Sequence, residues 1–157
     1  FLGLIQDELR AALDVPVAAS SLMQVPLVQA LLPTGRQVAI LTVSAKALTP
    51  AHLAASRVPS GTPVGGLPAD GAFAETILGD NPAMDVGACR DDLCQSAKRL
   101  MEQHPDIGAI VLECTNMVPF AADVRQITGL PVFSIHTFVT WFQAGLVPKR
   151  FRSFDAC

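Results

Sequence analysis

Cys114 sits between an apolar run, Gly108 to Leu112, and a segment that restarts as a helix near Val118-Pro119. A sulfur at such a strand-to-helix turn faces unpaired backbone N–H groups and the positive end of a helix dipole. Both favour an anion, so they lower a thiol pKa and hold a bound carboxylate. Thr115 and Asn116 follow directly and add a hydroxyl and an amide for the same carboxylate oxygens. The plainer alternative is a small core residue at a strand end with Asn116 as a helix cap, and spacing alone leaves both open.

The remaining candidates also fall at strand ends. Thr42 and Ser44 close the apolar run Gln37 to Thr42, where hydroxyls either meet a ligand or simply end a strand and cap a helix. Ser20 and Ser21 follow Val15 to Ala19 and read as substrate contacts or as N-caps of the next helix. His136 comes after a strand and reads as a structural histidine or as a substrate-orienting one, while His52 and His104 read as solvent-facing residues near helix ends. Glu113 adjoins the thiol, but strand alternation should aim it away from Cys114, so no catalytic role is expected of it. Cys89 and Cys94 lie on the longest predicted helix and Cys157 ends the tail; all three read as structural or incidental.

The elements that must carry these residues alternate. Leu2, Ile5, Leu9 and Leu13 fall on one face of an opening helix. A short strand is expected at Val15 to Ala19, a helix at Leu22 to Leu32 stopped by Pro33 and Gly35, and a buried strand at Gln37 to Thr42. Thr49-Pro50 opens a helix as an N-cap and an N1 proline. A brief strand at 62–67, a helix at Ala72 to Leu78 and a long helix at Asp85 to His104 follow. Leu93, Ala97, Leu100 and Met101 form the apolar stripe of that long helix. Strands at Gly108 to Leu112 and Pro131 to Ile135 flank a helix ending at Gly129, and an apolar helix spans Thr137 to Gly145, before a basic tail of Lys149, Arg150 and Arg152. The alternation predicts an α/β fold with a parallel sheet flanked by helices, whose ligands gather at the carboxyl ends of the strands.

Composition sets the outer bounds. The 157 residues, half of them hydrophobic, carry a net charge of −3, and the mean hydropathy is +0.41. That balance offers no basic footprint for nucleic acid or an anionic membrane. The uncharged stretches Val15 to Gly35 and Gln126 to Pro148 are broken by prolines and polar groups, so they read as core and not as the run of about 20 apolar residues that spans a bilayer. No secretory signal is recognised at Phe1. Four cysteines without CxxC pairing suit reduced thiols in a cytoplasmic protein.

The run Val111-Leu112-Glu113-Cys114-Thr115-Asn116-Met117-Val118-Pro119, continuing through Ala122-Asp123 to Thr128-Gly129-Leu130-Pro131-Val132-Phe133, resembles the second-cysteine motif of the aspartate/glutamate racemase superfamily, which includes the hydantoin racemases. The likeness takes in Ser20-Ser21-Leu22 and Ile40-Leu41-Thr42 and is diffuse between Ala54 and Gln95. It implies two pseudo-symmetric lobes, each giving one cysteine to a cleft, with neither pyridoxal phosphate nor metal. Residues 35–135 would be the second lobe, and 1–34 with 136–157 the remainder of the first. It further implies proton transfer at the Cα of an amino acid, hydantoin or related carboxylate, one thiol acting as base and the other as acid, with Thr42, Ser44, Ser20, Ser21, Thr115 and Asn116 on the substrate.

Superfamily members carry the first cysteine just ahead of the helix that begins here at Phe1, so a truncated first lobe is expected and the activity of this fragment alone stays open. Two alternatives accompany that reading. One is a decarboxylase of the arylmalonate type, which uses only the second cysteine; the other is a non-catalytic carboxylate-binding protein of the same fold. The apolar helix Phe138 to Leu146, with Trp141 and Phe142, would pack on the other lobe or form a homo-oligomer contact.

Overall fold

A computed structural model describes residues 2–150 of the chain. Cys157 and Arg152 therefore lie outside the described residues, as does the end of the segment 136–157 assigned to a first lobe.

Four strands make one parallel sheet in the order β2-β1-β3-β4: β1 (Gln37–Thr42), β2 (Val64–Gly66), β3 (Ile107–Leu112) and β4 (Val132–Phe133). The helices are α1 (Gln6–Ala12), α2 (Val25–Leu31), α3 (Pro50–Ala55), α4 (Ala72–Leu78), α5 (Val86–Gln103), α6 (Ala121–Thr128) and α7 (Ile135–Leu146). The expected α/β class with a helix-flanked parallel sheet is the observed one.

The near-continuous apolar character of β1 and β3 follows from helices on both faces of the sheet. On one face Ala39, Leu41, Ile110 and Leu112 meet Phe73 of α4, Cys89, Leu93, Ala97 and Leu100 of α5, and Val124 of α6. On the other, Val38, Ile40, Ala109 and Val111 meet Leu22, Val25 and Val28, around and within α2. Alternate residues of each strand thus go to opposite cores, as a two-residue period requires. The stripe of α5 packs as expected, and its N-cap Asp85 accepts from Ala88 N–H at 3.0 Å.

Two local expectations are corrected. Val15 to Ala19 is not a strand. The side-chain amide of Gln6 donates to Val17 O at 3.0 Å and accepts from Ala19 N–H at 3.1 Å, taking the place that a neighbouring strand would fill. The apolar face of the opening helix is also not buried: Leu2, Ile5 and Leu13 are exposed, whereas Gly3 and Gln6 face inward. The inward contact is set by the Gln6 hydrogen bonds and by Gly3, where a Cβ would come within 3.3 Å of Ser20 Cβ and 3.2 Å of Ser56 Oγ.

The last helix starts two residues earlier than the sequence suggests. Ser134 closes a capping box with Thr137, whose Oγ1 accepts from Ser134 N–H at 2.9 Å. His136 consequently lies in the first turn of α7 and is exposed. No helix among the described residues is long and apolar enough to cross a membrane.

Candidate active site

A cavity of about 610 Å³ opens at the carboxyl edge of β1 and β3. Ser20, Ser21, Thr42, Ser44, Cys114 and Thr115 all line it. Segments separated by up to 95 positions in the chain are therefore brought to one place by the parallel register, in which Leu41 lies beside Leu112. Leu22, Val43, Ile77, Leu78, Ile135 and Val139 supply apolar wall.

Cys114 is half-buried and is the N-cap residue of a 3-10 turn, Thr115–Phe120. The turn aims the backbone N–H groups of Asn116 and Met117 at the sulfur, which favours the thiolate. They do not prevail. Burial pushes the thiol above its ordinary range and the Glu113 carboxylate adds to that push. The expected lowering of the thiol pKa is thus corrected: one side of the sulfur rests on the α5–α6 core, and the desolvation this imposes exceeds what two backbone donors offset. Cys89 is fully buried in that core and shows the same upward direction for the same leading reason, while Cys94 is partly exposed on α5; neither reaches the cavity.

The strand-end hydroxyls fall into two groups. Thr42 Oγ1 donates to Glu113 Oε2 at 2.9 Å, and Ser21 Oγ donates to the Glu113 carbonyl at 3.1 Å. In this structure their protons go to Glu113. Ser20 Oγ instead accepts from Leu22 N–H at 3.2 Å, and Ser44 Oγ accepts from Ala47 N–H at 3.3 Å. Each of these two serines caps a turn while keeping its own proton for a further acceptor. Asn116 does not line the cavity; its contribution is the backbone N–H at the sulfur.

Three lining residues were not expected from sequence. Glu113 does follow alternation, sharing the β1–β3 face that carries Thr42, but the cavity straddles the sheet edge and collects side chains from both faces. His52 lines the cavity from α3, where its Nδ1 accepts from Thr49 N–H at 3.1 Å within a capping box. Ser56 is 4% exposed, and its hydroxyl is buried without a hydrogen-bond partner. A histidine in the first turn of α3 and a serine at its C-cap gave no sequence signal that they would meet at a strand end.

No family model matches the chain. Among curated proteins it is similar to a dimethylsulfoniopropionate lyase of Durusdinium sp. clade D, with 31% identity over 155 residues, 94% of this chain and 50% of that protein. It is also similar to dimethylsulfoniopropionate lyase 7 of Emiliania huxleyi, with 29% identity over 152 residues, 90% of this chain and 44% of that one. The chain thus spans about half the length of the curated relatives it matches.

These relatives are named as enzymes of the lyase class, which corrects the racemase resemblance, the isomerase activity drawn from it, and both alternatives to it, decarboxylase and non-catalytic binder. The physical reason is plain. A thiol beside carboxylate-binding donors serves any reaction that begins by moving a proton at Cα. Such a motif does not distinguish returning that proton from expelling a group at the next carbon.

Proposed function

We propose that this chain provides the proton-abstracting part of a lyase that cleaves a β-sulfonio carboxylate, with dimethylsulfoniopropionate as the substrate. That molecule has a carboxylate, an acidic Cα–H and a dimethylsulfonium leaving group on the adjacent carbon. The Cys114 thiolate takes the Cα proton, the C–H electron pair becomes the Cα–Cβ double bond, and the Cβ–S pair leaves with sulfur. The products are acrylate, dimethyl sulfide and a neutral thiol, which then returns its proton to solvent.

The observation that carries this reading is Cys114 half-buried on a cavity at the carboxyl edge of the sheet, beside hydroxyls that retain protons to donate. The names of the two relatives support this choice of reaction class and substrate. Ser20, Ser44 and Thr115 hold the carboxylate, where charge accumulates as the proton leaves. The high thiol pKa suits a strong base: fewer sulfurs are ionised at neutral pH, but each thiolate binds a proton more tightly. The apolar walls accept the two S-methyl groups.

Thr137 Oγ1 donates to Gln24 Oε1 at 3.2 Å, which supports assigning 1–34 and 136–157 to one lobe and 35–135 to another. Free thiols at Cys89, Cys94 and Cys114 support a reducing compartment such as the cytoplasm. The exposed Trp141 and Leu146 on α7 support a homo-oligomer contact. The function is tested by incubating the full-length protein with dimethylsulfoniopropionate. Equimolar dimethyl sulfide and acrylate are expected, and intact substrate after prolonged incubation overturns the assignment.

A further inference from the structure

Glu113 carries a carboxylate into a cavity whose described lining contains neither lysine nor arginine. The ion pairs among the described residues, Arg10 with Asp7 and Arg90 with Asp91, lie elsewhere and leave Glu113 out. The residue is nevertheless fixed firmly. Its N–H donates to Leu41 O at 2.9 Å, its carbonyl accepts from Ser21 Oγ at 3.1 Å, and its Oε2 accepts from Thr42 Oγ1 at 2.9 Å. Thr42 is 1% exposed, so that last donor is held by the core. A carboxylate held by neutral donors, with no lysine or arginine paired to it among the described residues, is an incomplete electrostatic arrangement.

A second observation points the same way. The Ser56 hydroxyl lines the same cavity, buried and without a partner. Buried polar atoms are rarely left unpaired unless something else completes them. The cavity therefore has a fixed negative end at Glu113 and uncharged hydroxyl donors at Ser20, Ser44 and Ser56. This pattern suits a zwitterion: a cationic group at the glutamate and a carboxylate at the hydroxyls.

We propose that Glu113 is the specificity-determining residue for an onium group, its carboxylate taking the positively charged sulfonium end of the substrate. The proposal rests on the lyase reading for the identity of the cation, but the charge pattern stands apart from which bond is broken. A neutral thioether acid of the same length would fill the same walls and meet the same hydroxyls without gaining anything from Glu113. A dicarboxylate would be refused, since its second carboxylate would face Glu113.

The test compares ligands that differ in this one charge. Calorimetric titration of the full-length protein would use 3-(methylthio)propionate, which is neutral at sulfur, and 3-(trimethylammonio)propionate, which is an onium acid that cannot lose dimethyl sulfide. Wild type should prefer the onium acid by about tenfold or more. Glu113→Gln should reduce that preference to about twofold or less, mainly by weakening the onium acid. Glu113→Asp keeps the charge and should retain part of the preference, which separates lost charge from lost structure. Equal wild-type affinity for the two ligands overturns the proposal without any variant, and so does a preference that survives in Glu113→Gln. If the preference behaves as stated while dimethylsulfoniopropionate is left intact, the lyase reading fails and Glu113 keeps its role. If elimination depends on Cys114 but the preference is absent, the reverse holds.

Discussion

Gln24→Ala should destabilise the chain and loosen the cavity in a single step. Gln24 is 6% exposed and joins two segments. Its Nε2 donates to Ser134 O at 2.9 Å and to Ser21 O at 3.2 Å, and its Oε1 accepts from Thr137 Oγ1 at 3.2 Å. The bonds tie the turn carrying Ser21 to the start of α7, and Ser21 in turn holds the Glu113 carbonyl. Each hydrogen bond contributes about 1 kcal/mol net, and the buried acceptors left behind raise the cost, so the loss should be about 3 kcal/mol. At about 2–4 °C per kcal/mol for a chain of this size, the melting temperature should fall by roughly 6–12 °C. Gln24→Glu should cost at least as much, because it sets a carboxylate against two carbonyl oxygens. Thermal melting followed by near-ultraviolet circular dichroism measures the shift. A Gln24→Ala melt within about 2 °C of wild type would refute the claim that this amide holds the segments together.

Two further outcomes follow from the same geometry. Burial first, and Glu113 second, hold the Cys114 thiol above its ordinary range, and only the thiolate accepts a proton. kcat/KM should therefore keep rising with pH above about 8.5, and Glu113→Gln should move the rise to lower pH; a pH–rate profile that is level across this range would contradict both. Gly129 ends α6 at φ +69°, and a Cβ there would meet nothing within 4 Å. Gly129→Ala should thus cost only the backbone term, about 1–2 kcal/mol, read from the urea unfolding midpoint.

Much of the fold was legible because strands buried on both faces leave a strong mark. Gln37 to Thr42 and Ile107 to Leu112 are almost free of polar residues, and Thr49-Pro50, Asp85 and Gly129 delimit their helices by cap chemistry that acts within a few residues. Val15 to Ala19 misled because the partner for its backbone is a side chain, Gln6, and no periodicity reports that. The strand-end rule brought Ser20, Ser21, Thr42, Ser44, Cys114 and Thr115 to one cavity. It failed for Glu113, since alternation tells which face a side chain leaves from but not that a cavity at the sheet edge receives both. Ser56 escaped notice, and His52 was read as solvent-facing, because α3 contributes from outside the sheet. The thiol pKa was misjudged for a related reason: backbone donors can be inferred from the turn, whereas desolvation depends on packing by α5 and α6. The reaction class lay beyond the motif altogether, because isomerisation and elimination share their first proton transfer.

The base assigned to that transfer is open to direct measurement. Dimethyl sulfide release from dimethylsulfoniopropionate should be followed for wild type and Cys114→Ala, both checked for native melting. With its proton acceptor removed, the variant should lose about 100-fold or more in kcat/KM. A variant that retains wild-type turnover would show that the sulfur of Cys114 is not the base.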